Sequence, residues 1–222
     1  MTDTNNAITP HRPSAGWSLR RTALFAAPLA ALAFLAFTLV SRNTEAVAAE
    51  CVAAQPLAET LAPLARGELA AVSVHRAPRI PPELAFTGPQ GEPLTLADFG
   101  DRTVLLNLWA TWCAPCREEM PALDRLQADL GGEDFEVMAI NVDTRNLDRP
   151  REWLEEHGID ALAYYAENGG ALLQVLQRSG HVVGLPTTIL FAPNNCEVAI
   201  LKGPAEWASE DAFAFIRAAI GR

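Results

Sequence analysis

Two cysteines separated by two residues, Cys113-Ala114-Pro115-Cys116, carry the clearest chemistry in this 222-residue chain. They follow directly on an apolar run, Thr103 to Ala110 (TVLLNLWA), and open a stretch of helical pattern. A cysteine at a helix start faces unpaired backbone N–H groups and the positive end of the helix dipole, both of which favour thiolate over thiol. Cys113 is therefore the expected nucleophile. The two-residue spacing lets Cys116 reach back, so a mixed disulfide formed on Cys113 can be resolved within the chain. Pro115 fits a first helical turn, where its missing N–H costs nothing. Two other chemistries use the same spacing. Structural zinc needs two further Cys or His ligands close by, and the remaining cysteines, Cys51 and Cys196, are far off in sequence. A purely structural bond between Cys113 and Cys116 closes a loop too short to constrain the unfolded chain by much. Thiol–disulfide exchange is the chemistry this context supports best.

The elements that must position the pair alternate between strand and helix. Thr103 to Ala110 reads as a strand covered on both faces of a sheet, and Phe135 to Val142 as a second one. Leu123, Leu126 and Leu130 share one face of a helix begun near the cysteines. Shorter helices are expected over Arg151 to His157, after Pro150, and over Gly170 to Arg178. Thr187 to Phe191 and Val198 to Leu201 flank Pro193-Asn194-Asn195 and read as an antiparallel hairpin. Ser209 caps a closing helix with Phe213, Ile216 and Ile220 inward. Arg79 to Gly91, rich in Pro and Gly, reads as short extended pieces joined by turns. The fold class is α/β: a central mixed sheet of four or five strands flanked by helices, preceded by a helical N-terminal extension over residues 51–77.

Ahead of that lies a different composition. Thr22 to Val40 holds nineteen uncharged residues, long enough for a membrane-spanning helix. Arg20 and Arg21 precede it, so the positive-inside rule places residues 1–21 in the cytoplasm and everything after the 41–50 linker outside. The rival is a cleaved signal peptide with Ala46-Val47-Ala48 as its processing site, although signal cores are usually shorter. Both readings export the domain. Residues 51–222 carry 13 Lys and Arg against 24 Asp and Glu, a net charge of −11, with Lys202 the single lysine. Such a field repels phosphate backbones and excludes a nucleic-acid role.

Ala110-Thr-Trp-Cys-Ala-Pro-Cys-Arg-Glu-Glu-Met-Pro, preceded by Leu96-Ala-Asp-Phe-Gly-Asp-Arg-Thr-Val-Leu-Leu-Asn-Leu-Trp and followed by Val183-Gly-Leu-Pro-Thr-Thr, resembles the TlpA branch of the thioredoxin-like proteins. The resemblance covers residues 78–222. It implies a thioredoxin-like fold and a membrane-anchored thiol:disulfide oxidoreductase whose catalytic domain lies in the periplasm. Pro186 matches the cis-proline that packs against the redox pair and offers backbone groups to a substrate strand. Leu185 comes with it, and Trp112, Ala114 and Pro115 complete the expected substrate surface, while Trp109 belongs to the core. Glu119 matches an acidic residue beside the active site that can take or supply a thiol proton; the alternative is a solvated carboxylate on an exposed first turn. Thioredoxin has a buried aspartate where this chain has Asn107, which cannot shuttle a proton. The resemblance also includes a cysteine ahead of the domain and one in the late hairpin, matching Cys51 and Cys196. Their disulfide is the expected pairing, and two buried free thiols are the alternative.

The implied partners are exported proteins with reducible disulfides, either apo-cytochromes or copper-site assembly proteins, together with a membrane electron donor. No cofactor beyond the Cys113–Cys116 disulfide, and no metal, is expected. A second function class is a copper-binding assembly factor of the Sco type using Cys113, Cys116 and His181, since thiolates and imidazole suit copper. Cysteines of that type are usually spaced by three residues, and His181 reads more simply as a surface or packing residue.

Overall fold

The computed structural model describes residues 51–222. The expected cytoplasmic tail, membrane span and linker, residues 1–50, lie outside them. Among the described residues no helix is long and apolar enough to cross a membrane.

The elements run α1 (Gln55–Leu61), β1 (Ser73–Arg79), β2 (Ala85–Thr87), β3 (Pro93–Thr95), β4 (Thr103–Trp109), α2 (Ala114–Leu130), β5 (Phe135–Asn141), α3 (Arg149–Glu156), β6 (Tyr165–Ala166), α4 (Ala171–Arg178), β7 (Thr187–Phe191), β8 (Glu197–Lys202) and α5 (Glu210–Ala219). All eight strands join one sheet in the order β1-β8-β7-β4-β5-β6-β2-β3. β4 pairs with β5 in parallel and with β7 antiparallel, so the sheet is mixed. Every residue of β4, β5 and β7 is buried, which is why those segments read as continuous apolar runs.

The sheet has more strands than the four or five expected. The additional ones are short or polar: β2 and β3 have three residues each, β6 two, and β1 is Ser-Val-His-Arg-Ala-Pro-Arg. β1 is an edge strand, half exposed and carrying Pro78, so it lacks the apolar alternation that marks a strand in sequence. It runs across the expected boundary at residues 77 and 78 and pairs with β8. The segment read as a helical extension thus ends in a strand of the main sheet. Helix α3 starts at Arg149 and includes Pro150 in its first turn, where a proline needs no donor. In α5 the buried side is Ala212, Phe213, Phe215, Ile216 and Ala219, while Ile220 is the C-cap and only partly buried.

Cys51 and Cys196 are joined in a disulfide, with Cα atoms 5.3 Å apart and 145 residues between them in sequence. Cys196 sits at the end of the β7–β8 turn, where Asn195 adopts a left-handed conformation (φ 60°) that asparagine tolerates. The next residue, Glu197, is fully buried within the sheet. Three side chains compensate it: His75 Nε2 lies 2.6 Å from Oε1, Arg79 Nη2 donates to Oε1 at 2.5 Å, and His181 Nε2 lies 2.6 Å from Oε2. Burial pushes this carboxyl up, but the hydrogen bonds from His181, His75 and Arg79 outweigh it and bring the pKa down to about 2.

Closing so long a loop removes chain entropy from the unfolded state worth about 5 kcal/mol. Replacing both Cys51 and Cys196 by alanine is expected to lower the unfolding free energy by several kcal/mol, read as a lower denaturant midpoint with a steeper slope, because the unfolded chain without the cross-link exposes more surface. An unchanged midpoint would mean that the bond adds no stability.

Candidate active site

β4, in the middle of the sheet, delivers the chain to one end of its strands, and the turn Ala110-Thr111-Trp112 passes it into α2. Cys113 is the N-cap of α2: its backbone is extended (φ −89°, ψ 101°) and its Sγ accepts a hydrogen bond from the Cys116 amide at 3.3 Å. Cysteine replaces the Ser, Thr or Asp usual at this position, so the sulfur receives the donor that a capping oxygen would receive. Ala114 and Pro115 form the first turn. Cys113 and Cys116 are joined in a disulfide. Cys116 is completely buried and Cys113 6% exposed, which makes Cys113 the more accessible sulfur. Trp112 beside it is 67% exposed, whereas Trp109 is buried in the core as expected.

The turn is fixed by a residue that the sequence did not single out. Asp143, buried just beyond β5, accepts from the Thr111 amide at 2.8 Å and the Thr111 hydroxyl at 3.0 Å. Asn141 Nδ2 also donates to it, at 2.8 Å. No motif marked Asp143, because its partner is 32 residues away and the contact exists only once β4 and β5 are paired.

The peptide bond between Leu185 and Pro186 is cis. Leu108 pairs with Thr187 across β4 and β7, so Pro186 leaves the sheet at the same end as Ala110 and the cysteines. The Pro186 carbonyl accepts from Gly203 N at 3.0 Å, which ties the loop to the end of β8. Leu185 is half-buried, and Val183, absent from the expected substrate surface, is 79% exposed.

Glu118 and Glu119 part company. Glu118 is exposed, as a solvated first-turn carboxylate would be, but Glu119 is buried on the same side of α2 as Cys116, one turn further on. Its Oε1 accepts from Asn107 Nδ2 at 2.7 Å, and its Oε2 from the Ala205 amide at 3.1 Å. Trp207 approaches the same carboxyl with its indole nitrogen without closing a full hydrogen bond. Burial raises the carboxyl to about 7, against the partial opposition of Asn107, Ala205 and Trp207. A group poised there exchanges protons readily near neutral pH. The exposed-turn alternative therefore describes Glu118 and not Glu119.

His181 is buried and committed elsewhere. Nε2 lies 2.6 Å from Glu197 and Nδ1 2.8 Å from the Ser179 hydroxyl, the packing arrangement rather than a surface one.

Residues 79–197 match the AhpC/TSA family. Thiol-disulfide oxidoreductase ResA of Geobacillus thermodenitrificans (strain NG80-2) is 30% identical over 122 residues, 55% of this chain and 67% of the relative. Thioredoxin-like protein YneN of Bacillus subtilis (strain 168) is 43% identical over 60 residues, 27% of this chain, and the match spans only 35% of that relative's length. Among solved structures, a thiol:disulfide interchange protein DsbE from Chlorobium tepidum superposes with a TM-score of 0.55 at 28% identity, covering 65% of this chain and 97% of that one. A redox-capable pair capping a helix, a cis-proline at the same end of the sheet and these similarities lead to one conclusion: the chain belongs to the AhpC/TSA family, as a thioredoxin-fold member with the site of a thiol-disulfide oxidoreductase.

Proposed function

We propose that this protein is a TlpA-like reductant of disulfides in exported proteins, held by Thr22–Val40 in the cytoplasmic membrane with its catalytic domain in the periplasm. Its clients would be apo-cytochromes or copper-site assembly proteins, whose paired cysteines must be reduced before metal or haem can bind. A membrane electron donor would return the Cys113–Cys116 disulfide to the dithiol. The observation that carries the reading is the arrangement of unequal groups around the pair: a capping sulfur that is the more exposed of the two, a fully buried second sulfur, and a buried carboxyl one turn beyond it.

In the reduced protein the Cys113 thiolate attacks one sulfur of a client disulfide. The client's other sulfur leaves as a thiolate and takes a proton from solvent. Cys116 then gives its proton to Glu119 and attacks the Cys113 sulfur, which releases the client's second thiolate and forms the Cys113–Cys116 bond. Two electrons have passed from the pair to the client. Trp112 and Val183 are exposed and Leu185 half-buried at the end of the sheet that carries Cys113, and they would offer a client segment an apolar surface with backbone groups from the Pro186 loop. Direction follows from the TlpA-like resemblance, since every step is chemically reversible.

With Cys116→Ser in the full-length, membrane-bound chain, attack proceeds and resolution does not, so mixed disulfides with periplasmic clients should accumulate. Cys113→Ser should trap far less. Equal trapping by the two variants would remove Cys113 from the nucleophile's role.

A carboxyl raised on folding stabilises the protein fully below its unfolded value of 4.5, and that contribution is lost as pH rises through about 7. Relative to Glu119→Gln, the wild type should therefore lose on the order of 3 kcal/mol of stability between pH 4.5 and the alkaline side of 7. Parallel stability profiles for the two proteins across that range would show that Glu119 does not titrate there.

A further inference from the structure

Asn107 is the one polar side chain at the middle of β4, completely buried between leucines in sequence. Its Nδ2 donates to Glu119 Oε1 at 2.7 Å and to Thr188 Oγ1 at 2.9 Å, which uses both amide hydrogens. Its Oδ1 is buried and has no hydrogen-bond partner among the described residues. An orphaned carbonyl oxygen costs free energy in an apolar interior, so its presence beside a titrating group needs a reason.

The reason lies in what Glu119 needs in each of its two states. As a carboxylate it needs donors, and the observed orientation provides the Asn107 amide and the Ala205 N–H. As a carboxylic acid it carries an O–H that must find an acceptor, and Nδ2 cannot be one. Turning the Asn107 amide over brings Oδ1 to face Glu119 and Thr188 together. The acid proton then has its acceptor, and the Thr188 hydroxyl, which accepts in the first orientation, donates in the second by rotating its hydrogen. The first orientation leaves Oδ1 unpartnered and the second leaves Nδ2 unpartnered, and the proton on Glu119 decides between them. Thr188 stands directly opposite Asn107 in the β4–β7 register and two residues after Pro186, so the device connects α2 to the strand that carries the cis-proline loop.

We propose that Asn107 is a positioning residue whose side-chain amide reverses with the protonation of Glu119, donating to the carboxylate and accepting from the acid, with the Thr188 hydroxyl reversing in step. The proposal rests on the reading that Glu119 holds the proton given up by Cys116. It adds that the protonated state is made stable by a partner already in place, so the proton can stay on Glu119 until the next cycle. The aspartate of thioredoxin at this position would compete with Glu119 for the proton, whereas an amide can serve both of its forms without being charged.

The test is a pH titration of the oxidised protein, followed by the carboxyl carbon-13 shift of Glu119 and the side-chain nitrogen-15 and proton shifts of Asn107. The Asn107 resonances should move with the same midpoint as Glu119, and its amide protons should lose their contacts to Glu119 and Thr188 on the acid side. An Asn107 amide that keeps the same contacts through the whole titration would overturn the proposal. Thr188→Val should leave the Glu119 midpoint visible but weaken the reversal of the amide. Asn107→Leu, which can neither donate nor accept, should raise the Glu119 midpoint by about one pH unit, a tenfold change, and carry the pH profile of client reduction with it. If Glu119→Gln instead leaves that activity profile unmoved while the Asn107 titration stands, the catalytic role of Glu119 fails and the amide reversal survives.

Discussion

Everything in this site depends on one junction: the end of β4 has to present Cys113 as the capping residue of α2. A sulfur in that position takes up a backbone N–H that the helix leaves unsatisfied, so the fold itself supplies the stabilisation of a thiolate. The junction cannot drift, because β4 is held on one side by β5 over its full length and on the other by β7 from Val104 to Leu108. Asp143 then pins Thr111, one residue short of Trp112. The same β4–β7 pairing brings Pro186 to the end of the sheet where Cys113 stands. The positions of the Cys113–Cys116 pair and of the cis-proline loop are thus set by one register.

Two buried glutamates show how the interior handles charge in opposite ways. Glu197 is surrounded by His75, Arg79 and His181 and stays ionised down to about 2. Because His75 and Arg79 come from β1 and His181 from the loop leading to Pro186, this carboxylate knits the N-terminal strand and the loop to β8 beside the Cys51–Cys196 bond. Glu119 has only neutral donors and no cation, so burial prevails and it is raised to about 7. A fixed charge suits a structural tie; a carboxyl raised toward neutrality suits the proton exchange proposed with Cys116.

The parts of the fold legible in the sequence were those with an apolar run or a clear helical face: β4, β5, the β7–β8 hairpin, α2 and α5. β1 was hidden, since an edge strand made of Ser, His, Arg and Pro has no pattern that separates it from a loop. At the site, Cys113, Cys116 and the turn of Pro186 carried local signals. Asn107 carried one too, for a lone amide inside TVLLNLW implies a buried polar partner. What no local signal gave was the identity of partners: Glu119 with Asn107, Asp143 with Thr111, and Glu197 with a histidine 122 residues away. These contacts exist only after distant strands are in register, which is why the burial of Glu119 was left between two readings.

The Cys113–Cys116 pair is proposed to donate electrons to exported disulfides. The purified protein, equilibrated against glutathione buffers and quenched by alkylation, gives the fraction of the pair that is oxidised at each poise. An electron donor requires a reduction potential toward the reducing end of thioredoxin-fold proteins, roughly −270 mV, so that clients are reduced. A value near the oxidising end, roughly −120 mV, would contradict it, because a pair so poised takes electrons from its clients.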